Sequence, residues 1–316
     1  MIWRKKMIEN IGEVKLPVDE ALAIKKNRIL PENMSGKPKR ICVVTGIHGD
    51  ELEGQYVCYE LQRRLRENME DLTGIVDIYP ALNPLGVDTI TRGIPLFDLD
   101  MNRIFPGMED GSMAEYLASR IIDDVKGADL VIDIHASNIF LQEIPQIRIN
   151  EISKDDLLPL AKRLNMDYIW IHSAATVLES TFAYSLNDIG TKTLVVEMGV
   201  GMRITKKNGD QLVDGILSAM KSLDMWQGDI TEPIQPIISE DGRVNFLNAA
   251  TSGIFVPDVE HWKGVKEGQH IGDIVDPLRG IILQKIYSPC DGLVFTLREY
   301  PVVYEGSLIG RILAEK

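Results

Sequence analysis

The sequence predicts an α/β domain over residues 1–228 and a small all-β, barrel-like module over residues 229–316. Apolar runs typical of buried strands alternate with segments of helical periodicity through the first part. The second part consists of short strand-like runs separated by glycine and proline, without helical periodicity. Strands alternating with helices, followed by strands alone, are typical of an α/β domain joined to a β domain, so we place the boundary near residue 228.

The elements of the α/β domain are predicted from its apolar pattern. One or two strands and then a loop are expected in residues 1–38, where the composition is mixed. Clear strands are expected at residues 39–45, 74–79, 129–134 and 193–196. Helices are expected at residues 55–67, 112–125, 157–164 and 208–223. Ser112 and Glu115 have the spacing of a capping box at the start of the second helix. The long segment 87–110 has little periodicity, which is typical of a functional loop.

The composition disfavours some classes of partner. The 316 residues carry 34 basic and 47 acidic side chains, and the net charge of −13 is unfavourable for binding nucleic-acid phosphates. No apolar run reaches the roughly 18 residues of a membrane helix, and no apolar segment typical of a signal peptide follows the charged N-terminus. Three cysteines without metal-binding spacing are typical of a reducing compartment. We expect a soluble, cytoplasmic protein without a nucleic-acid or membrane partner, and a homo-oligomer stays open.

Polar side chains follow three of the predicted strands at their carboxyl ends. His48 and Glu51 come just after the first strand, His135 follows the third and Glu197 follows the fourth. Ligands of open α/β sheets bind at this edge, so side chains far apart in the sequence can converge there. Two histidines and one carboxylate form a known ligand set for catalytic zinc. The pattern therefore indicates a zinc site.

Simpler explanations exist for each of these residues. Glu51 favours the start of a helix through the helix dipole, with His48 as a chance neighbour. His135 could be a core histidine at the end of a strand. A purely structural Glu197 is unfavourable, because a buried carboxylate without a partner is costly. Neither a dinucleotide-binding glycine pattern nor a phosphate-binding P-loop sequence is present.

A set of ordered motifs gives these residues a context. The motifs are GIHGDE at Gly46 to Glu51, ALNPLG at Ala81 to Gly86, Arg92, DMNR at Asp100 to Arg103, DIHA at Asp133 to Ala136 and VVEMG at Val195 to Gly199. As a set they resemble the succinylglutamate desuccinylase/aspartoacylase branch of the zinc carboxypeptidase superfamily. The resemblance spans residues 46–199 and implies a mixed central sheet with helices on both faces.

The resemblance also implies roles for the polar residues. His48, Glu51 and His135 would hold one zinc ion per chain. Glu197 would act as general base on the zinc-bound water, which attacks the acyl carbonyl, and then as proton donor to the leaving amine. Arg92 would stabilise the oxyanion of the tetrahedral intermediate. The same ligands bind other divalent ions, so the identity of the metal stays open.

Three more residues match the family pattern. Asn102 and Arg103 would bind the carboxylate of the substrate, because an arginine fork binds a carboxylate through two hydrogen bonds. Asp100 would orient His48 from outside the ligand set. Without the family context, Arg92 and Arg103 could equally form ordinary surface ion pairs.

The reaction implied by the resemblance is hydrolysis of the amide bond of an N-acyl amino acid. Zinc and the two arginines would outweigh the two glutamates, and a locally positive pocket suits a small anionic substrate. A carboxypeptidase acting on small peptides and a binding protein without activity are the alternatives. Residues 180–192 contain no arginine, although aspartoacylases carry one there. This absence disfavours N-acetylaspartate and leaves a neutral or basic side chain open.

The C-terminal module is similar to the barrel of biotinyl and lipoyl domains. The similarity lies in three glycine-rich segments, 265–274, 288–294 and 303–310. The hairpin lysine that carries the cofactor in those domains has no counterpart here, so we expect no covalent attachment. In the resembled family such a module lies beside the site and narrows it. Tyr300 and Tyr304 are candidates for substrate contact, and packing within a strand is an equally good explanation for both.

Overall fold

The computed structural model describes residues 8–33, 36–172 and 179–315. The helices of these residues are α1 Glu53–Glu67, α2 Pro84–Thr89, α3 Met113–Val125, α4 Lys154–Ala161, α5 Phe182–Asp188 and α6 Lys206–Ser222. The strands are β1 Ile8–Lys15, β2 Ala21–Ile29, β3 Arg40–Thr45, β4 Ile75–Tyr79, β5 Leu130–His135, β6 Leu141–Asn150, β7 Tyr168–His172, β8 Thr193–Gly199, β9 Ile237–Glu240, β10 Val244–Asn248, β11 Gly253–Pro257, β12 Gly264–Val265, β13 His270–Asp276, β14 Ile281–Tyr287, β15 Gly292–Arg298, β16 Val302–Val303 and β17 Leu308–Ala314.

A mixed sheet forms the centre of the molecule. Its four middle strands, in the order β4, β3, β5 and β8, are parallel. Antiparallel strands flank them, with β2 and β1 on one side and β6 on the other. Because β3, β5 and β8 run in the same direction, their carboxyl ends lie at one edge of the sheet, which is where ligands of such sheets bind.

Helices cover both faces of this sheet. The side chains of β3 alternate, so that Ile41 and Val43 pack with α1 and α6 on one face. Cys42 and Val44 face the other way and pack with α3. All four side chains are fully buried. This burial on both faces explains why β3 reads in the sequence as a continuous apolar run rather than an alternating one.

The sheet divides at β6. The first residues of β6 pair with β15 of the C-terminal module, and its later residues pair with β7. Through β15 the sheet continues into β17 and β10, while β11, β13, β14 and β16 form a second antiparallel sheet. The α/β part of the chain and the C-terminal module are therefore joined by backbone hydrogen bonds between strands.

The predicted α/β class, the mixed sheet with helices on both faces and the C-terminal β module are confirmed. The capping box of Ser112 and Glu115 at the start of α3 is present. The strands β6 and β7 and the short helices α2 and α5 were not predicted from the sequence. None of the helices in the described part of the chain is long and apolar enough to cross a membrane.

Candidate active site and metal centre

The side chains identified from the sequence converge at the carboxyl edge of the sheet. His48 and Glu51 lie in the loop between β3 and α1, and His135 is the last residue of β5. Glu197 is in β8, where it is the direct backbone neighbour of His135. Parallel pairing of β5 with β8 thus brings together two residues that are distant in sequence.

The loop that carries His48 packs tightly against the turn after β4. A Cβ atom at Gly49 would overlap the carbonyl group of Gly86, so only glycine permits this approach. The backbone N–H of Gly49 also donates a hydrogen bond of 3.0 Å to the carbonyl of Thr91. These contacts bring the segment that carries Arg92 to the loop that carries the first histidine.

One carboxylate lies between the two imidazole rings. Oε1 of Glu51 is 2.7 Å from Nδ1 of His48, and Oε2 is 2.9 Å from Nδ1 of His135. The ring centroids are 5.1 Å apart. All three side chains are buried, and one ligand atom from each lies within 4.8 Å of the others.

The opposite nitrogen of each ring faces an aspartate. Nε2 of His48 is hydrogen-bonded to Oδ1 of Asp100 at 3.1 Å. Nε2 of His135 lies 3.1 Å from Oδ2 of Asp133, which alternation in β5 places on the same face. An aspartate on one ring nitrogen fixes the tautomer and directs the lone pair of the other nitrogen, as in carboxylate–histidine–metal arrangements.

The donor set fits a small divalent cation. Nδ1 of His48 is buried and has no hydrogen bond in the described structure, although it lies 2.7 Å from Glu51. A lone pair held against a carboxylate in this way is unfavourable unless a positive charge lies between them. Two imidazole nitrogens and one carboxylate are a common set for zinc that leaves a further coordination position open. His48, Glu51 and His135 could therefore hold a metal ion.

The electrostatics of the pocket favour positive charge between the rings. Burial lowers the pKa of His135, but Asp133 and Glu51 outweigh it and raise the pKa well above its ordinary value. The pKa of His48 is also raised, because Glu51 and Asp100 outweigh the lowering effect of burial. Burial raises the pKa of Glu51, yet the two histidines outweigh it and the pKa is lowered. The same field would hold a cation at this point.

Arg92 lies beside this group. Its Nη1 donates to Oε1 of Glu51 at 3.0 Å, and its Nε donates to Oδ2 of Asp100 at 3.3 Å. Asp100 therefore has one oxygen on the histidine and the other on the arginine. Arg92 keeps 40% of its side chain exposed, so its remaining N–H groups are accessible.

Asn102 and Arg103 lie in a short turn that begins at Asp100. The side-chain oxygen of Asn102 accepts a hydrogen bond of 2.8 Å from the backbone N–H of Phe182, which ties this turn to α5. The guanidinium of Arg103 donates to the carbonyl of Asn102 at 2.7 Å and is 42% exposed. Both side chains line the same cavity as the histidines.

We call this space the central cavity; it has a volume of about 580 Å³. The residues from the sequence analysis that line it are His48, Glu51, Arg92, Asn102, Arg103, His135 and Glu197. Tyr300 and Tyr304 are not part of its lining; they are 45% and 71% exposed on the C-terminal module. The geometry gives no support for their contact with a substrate, and that contact stays a prediction.

The residues that surround Glu197 were not predicted from the sequence. Nη1 of Arg148 in β6 lies 3.1 Å from Oε1 of Glu197. Glu143 of the same strand, His172 at the end of β7 and Arg311 of the C-terminal module also line the cavity. The alternation of Gln146, Ile147, Arg148, Ile149 and Asn150 is the signal that could have identified β6 as a strand with one polar face.

Comparison with known proteins supports the family resemblance and the fold. Residues 37–223 match the family model of the succinylglutamate desuccinylase/aspartoacylase catalytic domain. N-alpha-acetyl-L-2,4-diaminobutyric acid deacetylase of Halomonas elongata is 26% identical over 302 residues, which cover 92% of this chain and 86% of that protein.

Two crystal structures show a similar fold. A succinylglutamate desuccinylase from a Silicibacter species has a TM-score of 0.84 at 19% identity, covering 100% of this chain and 97% of that one. The product-bound ectoine utilization protein of Ruegeria pomeroyi has a TM-score of 0.81 at 18% identity, covering 100% and 98%.

The fold and the site define an α/β protein with a polar cavity at the carboxyl ends of its parallel strands. The family model covers more than half of the chain, so the chain belongs to the succinylglutamate desuccinylase/aspartoacylase family. It is an enzyme that hydrolyses amide bonds.

Proposed function

We propose that this protein is a zinc-dependent deacylase that hydrolyses the amide bond of an N-acyl amino acid. The observation that carries the proposal is the buried group of His48, Glu51 and His135. In the described structure Nδ1 of His48 has no hydrogen bond, and His48 lines the same cavity as Glu197. The ordered family motifs supply the same residues from the sequence. Each chain would bind one zinc ion.

Zinc held by these three residues would supply a Lewis acid that polarises the acyl carbonyl and lowers the pKa of a water molecule. The protein contributes the orientation of the ligands. Asp100 and Asp133 hold the two rings from behind, so that neither imidazole needs to reorganise when the ion binds.

Glu197 is proposed as the group that transfers protons. Burial raises its pKa above the usual range for a glutamate, against the opposing effect of Arg148. It would accept a proton from the attacking water as the new C–O bond forms at the acyl carbonyl. It would then donate that proton to the leaving nitrogen as the C–N bond breaks. The products are a carboxylic acid and a free amine.

Three residues are proposed to hold the substrate and its developing charge. The exposed N–H groups of Arg92, beside Glu51, would stabilise negative charge on the carbonyl oxygen. Arg103 and the amide of Asn102, which line the same cavity, would bind the carboxylate of the amino acid.

The substrate we propose is an N-acetyl amino acid with a neutral or basic side chain. The Halomonas elongata relative is named for N-alpha-acetyl-L-2,4-diaminobutyric acid, whose side chain is an amine. Residues 180–192 contain no arginine that could pair with an acidic side chain. Asp188, an exposed residue at the end of α5, lines the cavity and would attract a positive group.

The division of the chain near residue 228 is part of the proposal. Residues 1–228 carry every group to which we assign a chemical step, and residues 229–316 close one side of the cavity through Arg311. A cytoplasmic location is proposed as well, because Cys42, Cys58 and Cys290 are all free thiols.

A substrate panel tests the function. The zinc-loaded protein is assayed with N-acetyl and N-succinyl derivatives of neutral, basic and acidic amino acids, and with a panel of dipeptides. We expect hydrolysis of N-acetyl amino acids with neutral or basic side chains, and a loss of about 10²- to 10⁴-fold in kcat for Glu197→Gln. Preferential cleavage of dipeptides would instead identify a carboxypeptidase and contradict the proposal.

A further inference from the structure

Glu197 is held from the side opposite the histidines by an arginine that no family motif includes. Arg148 of β6 donates from Nη1 to Oε1 of Glu197 at 3.1 Å. Its Nη2 donates to Oε1 of Glu143 at 3.2 Å. The guanidinium thus bridges two carboxylates, one from its own strand and one from the neighbouring strand β8.

Glu143 is fixed by donors from the C-terminal module. Its side chain is 1% exposed, and Oε1 accepts a hydrogen bond of 2.7 Å from Arg311 of β17. Oε2 accepts from the hydroxyl of Thr296 in β15 at 2.6 Å and from the amide of Gln146 at 2.8 Å. Including Arg148, four donors converge on this carboxylate, so its orientation is strongly determined.

An aromatic ring holds the two arginines in place. The guanidinium carbons of Arg148 and Arg311 lie 5.6 Å and 5.5 Å from the centre of the Trp170 ring, within the range of a cation–π contact. Their side chains are only 25% and 15% exposed. Neither arginine has the freedom of a surface side chain, and Arg148 can reach Glu197 in one defined position.

We propose that Arg148 is a positioning residue for Glu197, and that Glu143, Arg311 and Thr296 hold Arg148 in place. The inference rests on the proposed function, in which Glu197 transfers the proton. Arg148 engages Oε1, while Oε2 has no hydrogen-bond partner within the described ranges and stays available for the water and the leaving amine. The C-terminal module thereby determines the orientation of a carboxylate in the first domain.

The consequence of losing Arg148 follows from geometry. A glutamate side chain has three rotatable bonds, and the buried ion pair removes that freedom on one side of the cavity. Misplacing a reacting group by about 1 Å can cost about 10²-fold in rate. We therefore expect Arg148→Met to lower kcat by about 10- to 100-fold, while KM changes by less than about threefold because the variant alters no proposed substrate contact.

A matched set of variants tests the assignment on the zinc-loaded full chain with the best N-acyl substrate. Arg148→Lys keeps the charge but cannot bridge both carboxylates, so its kcat should fall between the wild type and Arg148→Met. Arg63 is the control, since it also bridges two glutamates, Glu60 and Glu67, on the outside of α1. Arg63→Met should keep the kcat and KM of the wild type. Arg148→Lys also decides the question if Arg148→Met does not fold.

A kinetic double-mutant cycle separates positioning from substrate contact. If Arg148 acts through Glu197, adding Arg148→Met to Glu197→Gln should lower kcat by less than about twofold. A multiplicative further loss, or a tenfold rise in KM at unchanged kcat, would show direct substrate contact and overturn the inference. Wild-type kinetics in both Arg148 variants would overturn it too.

The contribution of the C-terminal module is tested separately. Arg311→Met and Thr296→Val remove the donors to Glu143 without touching Glu197. We expect each to lower kcat several-fold with little change in KM, and wild-type kcat in both would remove the module from the assignment. An inactive wild type with every substrate of the panel would overturn the proposed function itself, and this inference with it.

Discussion

The two histidines of the site differ from ordinary core histidines in how their nitrogens are used. In each ring one nitrogen faces an aspartate, Asp100 or Asp133, and the other faces Glu51. A neutral core histidine needs at most one hydrogen-bond acceptor for its N–H and one donor for its other nitrogen. Here both nitrogens of both rings face carboxylates, which is the charge distribution that a cation between the rings would balance.

The aspartate behind His135 offers a test at this scale. Oδ2 of Asp133 lies 3.1 Å from the ring and the side chain is buried. Asp133→Asn would keep the shape but remove the negative charge that directs the imidazole. We expect zinc affinity to fall by about 10- to 100-fold, measured by competition with a chromophoric chelator. Asp123→Asn, on the surface of α3, is the control. Equal zinc affinity in the two variants would show that Asp133 has no role in the site.

A buried ionic cluster connects the strands beneath the site. Asp77 of β4 has a fully buried side chain. Its Oδ2 forms ion pairs with Arg28 at 2.8 Å, with Arg40 at 3.3 Å and with Lys26 at 3.5 Å. Lys26, also fully buried, reaches Asp124 of α3 at 2.7 Å. The cluster joins β2, β3, β4 and α3, and the removal of one member would leave the others charged and unpaired.

The pH dependence of stability follows from this cluster. Burial raises the pKa of Asp77, but Arg28, Lys26 and Arg40 outweigh it, and the pKa of the folded state is lowered. A carboxylate whose pKa is lower in the folded than in the unfolded state stabilises the fold at pH values above its unfolded pKa of about 3.9. This stabilisation is lost as the pH falls from the unfolded pKa through the folded pKa. Asp77→Asn should therefore cost about 3–5 kcal/mol at pH 7 and show a weaker loss of stability than the wild type between pH 5 and pH 3.

Urea unfolding at a series of pH values measures both effects. Asp123→Asn should follow the wild type, because its carboxylate forms an exposed pair with Lys126 that contributes about 0–1 kcal/mol. An Asp77→Asn protein with wild-type stability at pH 7, or with the same pH slope as the wild type, would contradict this account of the cluster.

The strands that the sequence revealed are those buried on both faces. Residues 39–45, 129–134 and 193–196 lie where β3, β5 and β8 occur, because parallel strands between two helical layers read as apolar runs. The strand β6 was missed because Glu143, Gln146 and Arg148 interrupt its apolar side chains. Arg148 contacts Glu197, and Glu143 contacts both Arg148 and Gln146, so the polar residues of β6 serve the cavity while its isoleucines serve the core.

At the scale of the whole molecule, the α/β part and the C-terminal module share one sheet. The sequence predicts a change near residue 228; in the described structure α6 ends at Ser222 and the next strand, β9, begins at Ile237. The sequence could not indicate that β15 pairs with β6, with Thr296 opposite Glu143. Such pairing joins residues about 150 positions apart by backbone hydrogen bonds, and no local pattern in a sequence specifies its partner.

The sequence predicted the residues on one side of the candidate site better than those on the other side. His48 and Glu51 follow β3, and His135 and Glu197 lie at the carboxyl ends of β5 and β8, so their place at this edge follows from the apolar strands before them. Arg148 lies in β6, where polar and apolar residues alternate, and Arg311 lies in β17 of the C-terminal module. In the sequence, the neighbours of both residues are like those of surface arginines. The sequence therefore predicted the side of the cavity that holds His48, Glu51 and His135, and the structure was needed to find Arg148 and Arg311 near Glu197.

The most direct test of the central claim is a zinc titration of the metal-stripped protein with hydrolysis of an N-acetyl amino acid as the readout. We expect the stripped protein to be inactive and to recover in proportion to added zinc, up to one equivalent per chain. His135→Ala should neither bind that equivalent tightly nor recover. Full activity in the stripped protein, or tight stoichiometric zinc binding by His135→Ala, would contradict a catalytic zinc held by His48, Glu51 and His135.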